Sequence, residues 1–580
     1  MRKKKLLTLS VGILLVAVLL FAGIPTLADD APTVHYDILI TNGTVVDGTG
    51  APRYQADVGI RDGKIVAIGK LAKGKAERVI DAEGLVVAPG VIDTHSHSET
   101  ILLRDYRGLS FMHMGVTTLI LGEVSGAPLP YSPEEGSWVS LAGLFKRLED
   151  QGISLNYGSY VGKESVVDMV MGPVDRPPTE AELKFMKYLV AEAMEDGAFG
   201  LSSALAYAPS IFTSTETMIE LAKVAAQYGG AYKSHVRGED EYTLEPGHGI
   251  RELIDICIAA GLPGIVTHMK APGIKCWEQK IMQKSIDLIN ETRAEGYDIV
   301  ADMYPYQFGA TSLRAVLPPW AVEGGTEAML ARLMDPVLRA EIRAGIYEEI
   351  ELPYWFNFVM VCTGKDFSKI GFTSSPTGKN TDLEGKFFDE IALIRGYTEP
   401  DDAIEAIFDI IIEENGGGGM IIPAYFEESD IELAMREPWM AFCTDGVAYN
   451  PAWGGKPHPR YFGTYPRVLG VYVRERGIIT LEDAVRKMTW LPAQQTGITD
   501  RGKIEVGLAA DIFIFDPDTV IDKATYVDPL QYPEGIPYVM VNGVVVIDDG
   551  VHNGAAPGKI LRLTDYPETI KMRRAKAGRL

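Results

Sequence analysis

The chain has 580 residues, too many for one small domain, and 46% of them are hydrophobic, enough to bury a large core. Its formal net charge is −24, and a surface this acidic repels phosphate backbones. We therefore expect one large domain with additions, or two to three domains, and no nucleic-acid partner.

The first 28 residues have the pattern of an export signal. Cationic residues at positions 2–5 precede an apolar run, Leu6 to Ala22, and the small residues Thr26 and Ala28 suit cleavage after Ala28. The run is long enough that an uncleaved membrane anchor is the alternative. We favour cleavage because the helix-breaking Gly23-Ile-Pro precedes the small residues. The protein is thus predicted to be exported, touching a membrane only through this segment if it is retained.

Both ends of the predicted mature chain are rich in short strands separated by turn pairs. Asp62-Gly63 is a hairpin signal within 29–88, and Asn542-Gly543 is another within 501–562. The two ends are predicted to build one small β-sandwich together. The cationic segment 563–580 is interpreted as a basic tail.

Between these ends, over 89–500, strand-like apolar runs alternate with helical segments, as in a parallel barrel or a doubly wound sheet. The eight candidate strands run to Asp93 and to Gly122, and lie around Tyr157–Val161, Ala198–Ser202, Ala231–Ser234, Ile265–Thr267, Ile299–Asp302 and Met440–Thr444. The interval between the seventh and eighth strands far exceeds the length of a crossover. An inserted subdomain is therefore predicted at about 317–431.

Side chains with metal-binding chemistry follow five of these strands. They are His95 and His97 after the first, Glu123 after the second, His235 after the fifth, His268 after the sixth and Asp445 after the eighth. In a (β/α)8 barrel the carboxyl ends of the strands meet at one mouth, where catalytic groups gather. A His-x-His on an extended segment places both imidazoles on one face. The pattern therefore favours a barrel with a metal site at its mouth.

Several of these segments resemble the amidohydrolase superfamily. Ala88-Pro-Gly-Val-Ile-Asp-Thr-His-Ser-His is similar to its first-strand signature, in which both histidines bind metal. Tyr232-Lys-Ser-His235 and Ile265-Val-Thr-His268 resemble its fifth- and sixth-strand metal ligands. Thr444-Asp445-Gly446 resembles the eighth-strand motif that supplies the catalytic carboxylate. The resemblance implies a metal-dependent hydrolase on a (β/α)8 barrel.

Other segments resemble one family within it, the D-aminoacylases and N-acyl-D-amino-acid deacylases. The similarity lies in His458-Pro-Arg460, in the following Gly463-Thr-Tyr-Pro-Arg-Val-Leu, and in Tyr304-Pro-Tyr306, and it extends over nearly all of residues 36–560. It implies hydrolysis of the amide bond of N-acyl amino acids, with N-acyl-D-amino acids expected. Selectivity for the D form does not follow from the residues themselves.

Two positions depart from the family pattern. The family usually has Gly-Asn-Cys-Gly after the second strand, with the cysteine as a ligand, where this chain has Gly122-Glu123-Val-Ser. We expect Glu123 to replace the cysteine and to bind one metal or bridge two, the alternative being a solvated acid beside a single ion. Lys163 stands where the family commonly has histidine. The sequence leaves open whether Lys163 is carbamylated or pairs with an acid.

Imidazole and carboxylate donors suit one or two zinc ions, with Mn²⁺ or Co²⁺ tolerated. By the same resemblance, Asp445 is expected to bind metal and to move the proton of the attacking water to the leaving amine. Lys270 and Arg460 are expected to hold the free carboxylate of the substrate, with Tyr304 as a hydroxyl donor.

Two alternative functions stay open at this point. One is another amidohydrolase reaction, such as dihydroorotase-like or hydantoinase-like ring opening, or hydrolysis of isoaspartyl dipeptides. Those relatives usually carry a carbamylated lysine on the fourth strand, where this chain has Gly200-Leu-Ser-Ser. The other is an exported binding protein with a retired active site, for which the altered second-strand motif is the support.

Overall fold

The protein folds around a closed barrel of eight parallel strands. The computed structural model describes residues 35–71, 75–123, 131–132, 137–240, 249–347, 355–423 and 425–577, and the predicted leader at 1–28 lies outside them. The barrel strands, numbered 1 to 8, are Val91–Asp93, Val116–Leu121, Asn156–Ser159 continued by Val161–Gly162, Gly200–Ala204, Ala231–His235, Gly264–Val266, Ile299–Met303 and Met440–Phe442.

The order of hydrogen bonding around the barrel follows the order of the chain. The first segment of strand 3 pairs with strand 2 and the second segment pairs with strand 4. A bridge between Ser96 and Gly446 closes the ring between strands 1 and 8. Every residue of strand 2 is buried, which fits the continuous apolar runs that parallel strands show when both faces are covered. The predicted barrel is confirmed.

Helices cover the outside of the barrel and carry the loops at its mouth. They are Ile101–Arg104, Leu109–His113, Leu141–Gln151, Lys163–Met171, Glu180–Glu195, Thr215–Gln227, Gly249–Ala260, Ile274–Glu278, Ile281–Ala294, Glu428–Met435, Arg460–Arg467, Leu481–Met488 and Trp490–Thr496. The helix Glu180–Glu195 begins at Thr179 in a capping box, in which the Glu182 carboxylate accepts from the Thr179 backbone N–H at 2.7 Å. This cap fixes where the helix begins.

Strands from both ends of the chain join in one nine-stranded sheet. They are Tyr36–Val45, Tyr54–Arg61, Lys64–Gly69, Ala76–Asp81, Val86–Pro89, Ile512–Phe515, Tyr538–Val541, Val544–Asp548 and Val551–His552. Val86–Pro89 pairs with Ile512–Phe515 and so connects the two ends. The sheet surrounds a second hydrophobic core of its own, which includes Ile40, Val58 and Ile512. The separate β unit expected from both termini is therefore present, as one continuous sheet.

The insertion between strands 7 and 8 begins earlier than predicted. Its antiparallel sheet consists of Gly309–Ser312, Gly371–Ser374 and Gly419–Ile422, with the last strand in the middle. The helices of the insertion are Pro319–Val322, Gly325–Met334, Pro336–Tyr347, Phe388–Ile394 and Ala403–Glu413. The predicted bounds, 317 and 431, miss the first strand and fall inside the helix that precedes strand 8. Gly309–Ser312 contains no apolar run, so its strand could not be predicted from the local sequence.

The segment interpreted as a basic tail folds onto the barrel over much of its length. Pro567–Ala577 is a helix, and its buried Arg573 donates to the carbonyl oxygens of Gly229 at 3.3 Å and Gln495 at 2.8 Å. An arginine that satisfies buried carbonyls cannot be distinguished in the sequence from a solvated one. Within the described residues, no helix combines the length and apolar character needed to cross a bilayer.

Candidate active site

His95 lies at the centre of the barrel mouth and is fully buried. The carboxylate of Asp93 accepts from the His95 backbone N–H at 3.0 Å and from the Thr444 hydroxyl at 2.6 Å. The Asp445 backbone N–H donates to the His95 carbonyl at 2.9 Å. These bonds tie the end of strand 1 to the end of strand 8, so the His-x-His and Asp445 have fixed relative positions.

Glu123 follows strand 2 and points at His95. Its Oε2 lies 2.5 Å from His95 Nε2, and the Glu123 side chain is 1% exposed. Burial lowers the pKa of His95, yet the Glu123 carboxylate raises it to about 9. Burial likewise raises the pKa of Glu123, yet the charge of His95 lowers it to about 2. Glu123 is therefore an ionised member of the buried cluster, not a solvated loop acid.

His235 and His268, after strands 5 and 6, bring their rings together. His268 Nε2 lies 3.0 Å from His235 Nδ1, and both side chains are buried. Burial and the adjacent Lys270 hold the pKa of His268 well below its usual range, so its imidazole is neutral and keeps a lone pair. His268 has a φ of +33°, held by Asp302, whose Oδ1 accepts from its backbone N–H at 2.6 Å. Such strained positions cluster at functional sites.

Asp445, after strand 8, contacts both histidines of strand 1. Its Oδ1 lies 2.9 Å from His97 Nε2 and 3.5 Å from His95 Nε2. Burial raises the pKa of Asp445, but Arg460 and the neighbouring histidines lower it well below its usual range. The group is therefore a carboxylate at neutral pH, able to bind a cation or to accept a proton.

These side chains fit a divalent metal ion. Among the described residues, three sets of three ligand atoms lie within 4.8 Å of one another, and His95 belongs to each of them. Its partners are Glu123 and His268, His97 and Asp445, or Asp302 and Cys443. In the described part of the chain, both ring nitrogens of His95 and Oε2 of Glu123 are buried without a well-directed hydrogen bond, although His95 and Glu123 are in contact. Buried polar atoms normally have such bonds, so this convergence is typical of metal ligands. Imidazole and carboxylate donors favour zinc.

Arg460 lies beside the cluster, with its guanidinium carbon 4.5 Å from the centre of the Tyr304 ring. Its Nη2 pairs with Asp445, whereas its buried Nε and Nη1 find no hydrogen-bond partner among the described residues. His458 fixes this arginine, because its Nδ1 accepts from the Arg460 backbone N–H at 3.0 Å while its Nε2 donates to the Phe308 carbonyl at 3.0 Å. A buried guanidinium with two donors that have no partner can donate hydrogen bonds to a bound carboxylate.

Lys270 has a contact that the sequence did not indicate. Its Nζ lies 2.6 Å from Nδ1 of His268, and the residue also lines the cavity above the cluster. Lys270 is therefore placed to orient His268, a predicted metal ligand, and also to contact a substrate in the cavity.

Lys163 pairs with an acid, one of the two possibilities that the sequence left open. Its fully buried Nζ donates to the Ser210 hydroxyl at 2.5 Å and the Thr213 hydroxyl at 3.2 Å, and lies 3.3 Å from Glu164 Oε1. The ammonium group thus holds the loop after strand 4 against the helix Lys163–Met171.

Two buried residues of the site were missed in the sequence. Asp302 lies one residue before the end of strand 7. Its Oδ1 lies 3.6 Å from His95 Nδ1 and also accepts from the His268 backbone N–H. Lys233 lies 4.0 Å from Glu123 Oε2. Asp302 is an acid near the carboxyl end of a mostly apolar strand, so the signal that identified the other site residues was available for it. Lys233 lies in the middle of the buried strand 5, and nothing in the sequence distinguishes it from a buried structural lysine.

A cavity of about 1450 Å³ opens above the cluster. His97, His235, Lys270, Tyr304, Asp445 and Arg460 are among its lining residues. Binding sites for small molecules usually enclose about 300–1,000 Å³. The cavity therefore has room for a substrate well beyond the reacting atoms.

A barrel whose mouth gathers imidazoles and carboxylates in this order around its strands is the architecture of a metal-dependent amidohydrolase. In agreement, residues 432–547 match the model described as "Amidohydrolase family", and residues 23–91 match that of the urease alpha-subunit N-terminal domain. The chain is 30% identical over 544 residues to a D-aminoacylase of Alcaligenes xylosoxydans xylosoxydans. The aligned region covers 91% of this chain and 98% of that protein. The chain belongs to the D-aminoacylase family of amidohydrolases, as the sequence predicted.

Two solved structures show the same fold over nearly the whole chain. One is a D-aminoacylase studied for the role of its binuclear metal centre, with a TM-score of 0.74 and 29% identity, covering 91% of this chain and all of that one. The other is the N-acyl-D-glutamate deacylase of Bordetella bronchiseptica, complexed with zinc and a phosphonate that mimics the tetrahedral intermediate. Its TM-score is 0.72 with 29% identity and the same coverage.

Proposed function

We propose that the protein is a metal-dependent hydrolase that cleaves the amide bond of N-acyl-D-amino acids, yielding a carboxylate and a free amino acid. The observation that carries this proposal is the buried Arg460, with two available donors, beside the ionised Asp445 and the histidine cluster. An amide without a free carboxylate would leave these two donors unused. The D configuration is supported by the relatives, which are named for D-amino-acid substrates.

Zinc is the cofactor that this donor set favours, in one or two ions. His95, His97, Glu123, His235, His268 and Asp445 would hold it. Bound zinc lowers the pKa of a coordinated water from 15.7 to about 7, so that hydroxide is available at neutral pH. His268 is suited to this role because its neutral imidazole keeps a lone pair.

Asp445 is the residue that moves protons. It is ionised, and contacts from His97 and Arg460 hold its two oxygens in place. It accepts a proton from the attacking water and delivers it to the nitrogen of the leaving amino acid, which could not depart as an anion. Delivery to the nitrogen and breakage of the C–N bond leave the carboxyl product in the site.

Arg460, Lys270 and Tyr304 orient the substrate. Nε and Nη1 of Arg460 have no partner among the described residues, and either can donate a charge-assisted hydrogen bond to the substrate carboxylate. Lys270 adds a positive charge, and Tyr304 lines the same cavity. Fixing the carboxylate places the amide carbon over the histidine cluster.

A hydrolysis panel on the zinc-loaded protein tests the proposal. We expect release of free amino acid from N-acyl-D-amino acids, with little from the L forms, and at least one metal ion per chain. Hydrolysis of hydantoins, dihydroorotate or isoaspartyl dipeptides in place of acyl amino acids would support the alternative reactions instead. A metal-free protein that binds but does not hydrolyse these amides would indicate a retired site.

We also infer that the enzyme is exported, from the basic, apolar and small-residue order of its first 28 residues. Expression in a bacterium with an intact export pathway should give a mature protein that begins at Asp29. Recovery of the full-length chain from the cytosol would contradict export, and recovery from the membrane would support an uncleaved anchor.

A further inference from the structure

We propose that the enzyme prefers substrates with long apolar acyl groups, and that a chamber lined by methionines receives the acyl chain. This inference rests on the proposed function and adds the class of acyl group. The acyl chamber is defined here as the part of the cavity between the helix Lys163–Met171 and the insertion. Met169, Met171, Met186, Met329 and Met420 line the cavity in this region.

The nature of the lining favours an apolar chain of variable shape. Methionine is unbranched and polarizable, so methionine-rich walls adapt to different apolar ligands. The insertion adds aromatic side chains, since Trp355, Phe356 and Phe358 also line the cavity. A long alkyl chain would cover the partly exposed Met169 and Met171, whereas an acetyl group would leave them in contact with water.

The order of the strands places the chamber where an acyl group would point. The residues expected to hold the substrate carboxylate follow strands 6, 7 and 8, namely Lys270, Tyr304 and Arg460. The helix Lys163–Met171 follows strand 3, which lies across the barrel from strand 7. If the substrate carboxylate lies at strands 6 to 8 and the amide carbonyl lies over the central cluster, the acyl group points toward strand 3 and the helix Lys163–Met171.

The insertion closes the chamber from above. The Gly324 backbone N–H donates to the Pro173 carbonyl at 2.9 Å, and the Thr311 hydroxyl donates to the Tyr207 hydroxyl at 3.1 Å. These bonds join the insertion to the loops that follow the helix Lys163–Met171 and strand 4. An acyl chain beneath them is removed from water on several sides, which is the condition for a large hydrophobic contribution to binding.

A series of N-acyl-D-leucines with acetyl, butyryl, hexanoyl and octanoyl groups tests the proposal. Each methylene of the acyl chain that becomes buried raises kcat/KM by about fourfold at most. We expect kcat/KM to rise at least about 50-fold from acetyl to octanoyl, because part of that maximum is lost in ordering the chain. Equal values along the series would overturn the acyl proposal while leaving the deacylase function intact. Hydrolysis of none of them would overturn both.

Met171→Glu tests whether the acyl chain of the substrate contacts this part of the cavity, because Met171 is one of the lining residues. Met171 is only half-buried, so the substitution is compatible with folding. We expect the ratio of kcat/KM for octanoyl to that for acetyl to fall at least tenfold, and Met171→Leu to restore it. Met334→Glu is the matched control, since Met334 lies on the insertion but is 62% exposed. An unchanged ratio in Met171→Glu would contradict the assignment.

Arg314 defines the competing outcome. It lines the cavity from the insertion, and its side chain is exposed. If acyl length has no effect, but N-acyl-D-glutamate is preferred over N-acyl-D-leucine and Arg314→Gln removes that preference, the cavity selects an acidic side chain. That result would overturn the acyl proposal.

Discussion

Arg460 and Asp445 form a buried ion pair, with Arg460 Nη2 at 3.1 Å from Asp445 Oδ2 and the two side chains 4% and 8% exposed. One guanidinium thus reaches both the proton-transferring carboxylate and the space where the substrate carboxylate is expected. Binding and proton transfer are coupled through a single residue, and the following variants separate the two roles.

Asp445→Asn keeps the shape of the side chain but cannot accept a proton. We expect kcat to fall by about 10² or more, with the metal content largely retained. Kinetics combined with metal analysis of the same sample is the measurement. A variant that turns over within tenfold of the native protein would remove Asp445 from the mechanism.

Arg460→Met should raise KM for N-acyl amino acids by at least about tenfold, because the carboxylate loses a charge-assisted hydrogen bond. It should also lower kcat on every amide, since Asp445 loses its buried counter-ion. Neutral N-acyl amines, which lack the carboxylate, should show the loss in kcat without the rise in KM. Equal changes in KM for charged and neutral substrates would mean that Arg460 supports only Asp445.

Glu123→Ala tests whether a carboxylate after strand 2 binds metal. If Glu123 bridges two ions, the native protein holds up to two, and the variant should lose the weaker one while His235 and His268 keep the tighter. Glu123→Asp is the matched control, because it keeps the charge on a shorter side chain. Identical metal content and kinetics in native protein and Glu123→Ala would exclude Glu123 as a ligand.

Asp430→Asn should stabilise the protein above pH 6. Burial, aided by the nearby Glu427, raises the pKa of Asp430 to about 6 from 3.8, so ionising the group in the folded protein costs free energy as the pH rises between these values. We expect the free energy of unfolding to increase by about 1 kcal/mol at pH 7 to 8, less than the full shift implies because the side chain is partly exposed. Denaturation at several pH values is the measurement, and a gain that persists at pH 3.5 would contradict this cause.

The sequence predicted the barrel and most of its site because both depend on the same local signal. An apolar run followed by His or Asp is visible in the chain at His95, His235, His268 and Asp445, and the barrel itself brings these positions together. Glu123 could be placed at the mouth by the same argument, although its contact with His95 could not.

The remaining features depend on contacts between segments that are distant in the chain. The contact of Lys270 with His268 and the docking of Arg573 under the barrel follow from side-chain orientation, which periodicity does not give. Gly309–Ser312 forms a strand only because Gly419–Ile422 pairs with it about a hundred residues later. Such pairings override weak local preferences.

The central claim is that this cluster, once loaded with zinc, hydrolyses N-acyl-D-amino acids. The most direct test is a zinc titration of the chelator-treated protein, with release of D-leucine from N-acyl-D-leucine followed beside N-acyl-L-leucine. The account predicts no activity without metal, activity that rises with the first bound ion, and a strong preference for the D substrate. Full activity in the metal-free protein, or none at saturating zinc, would contradict it.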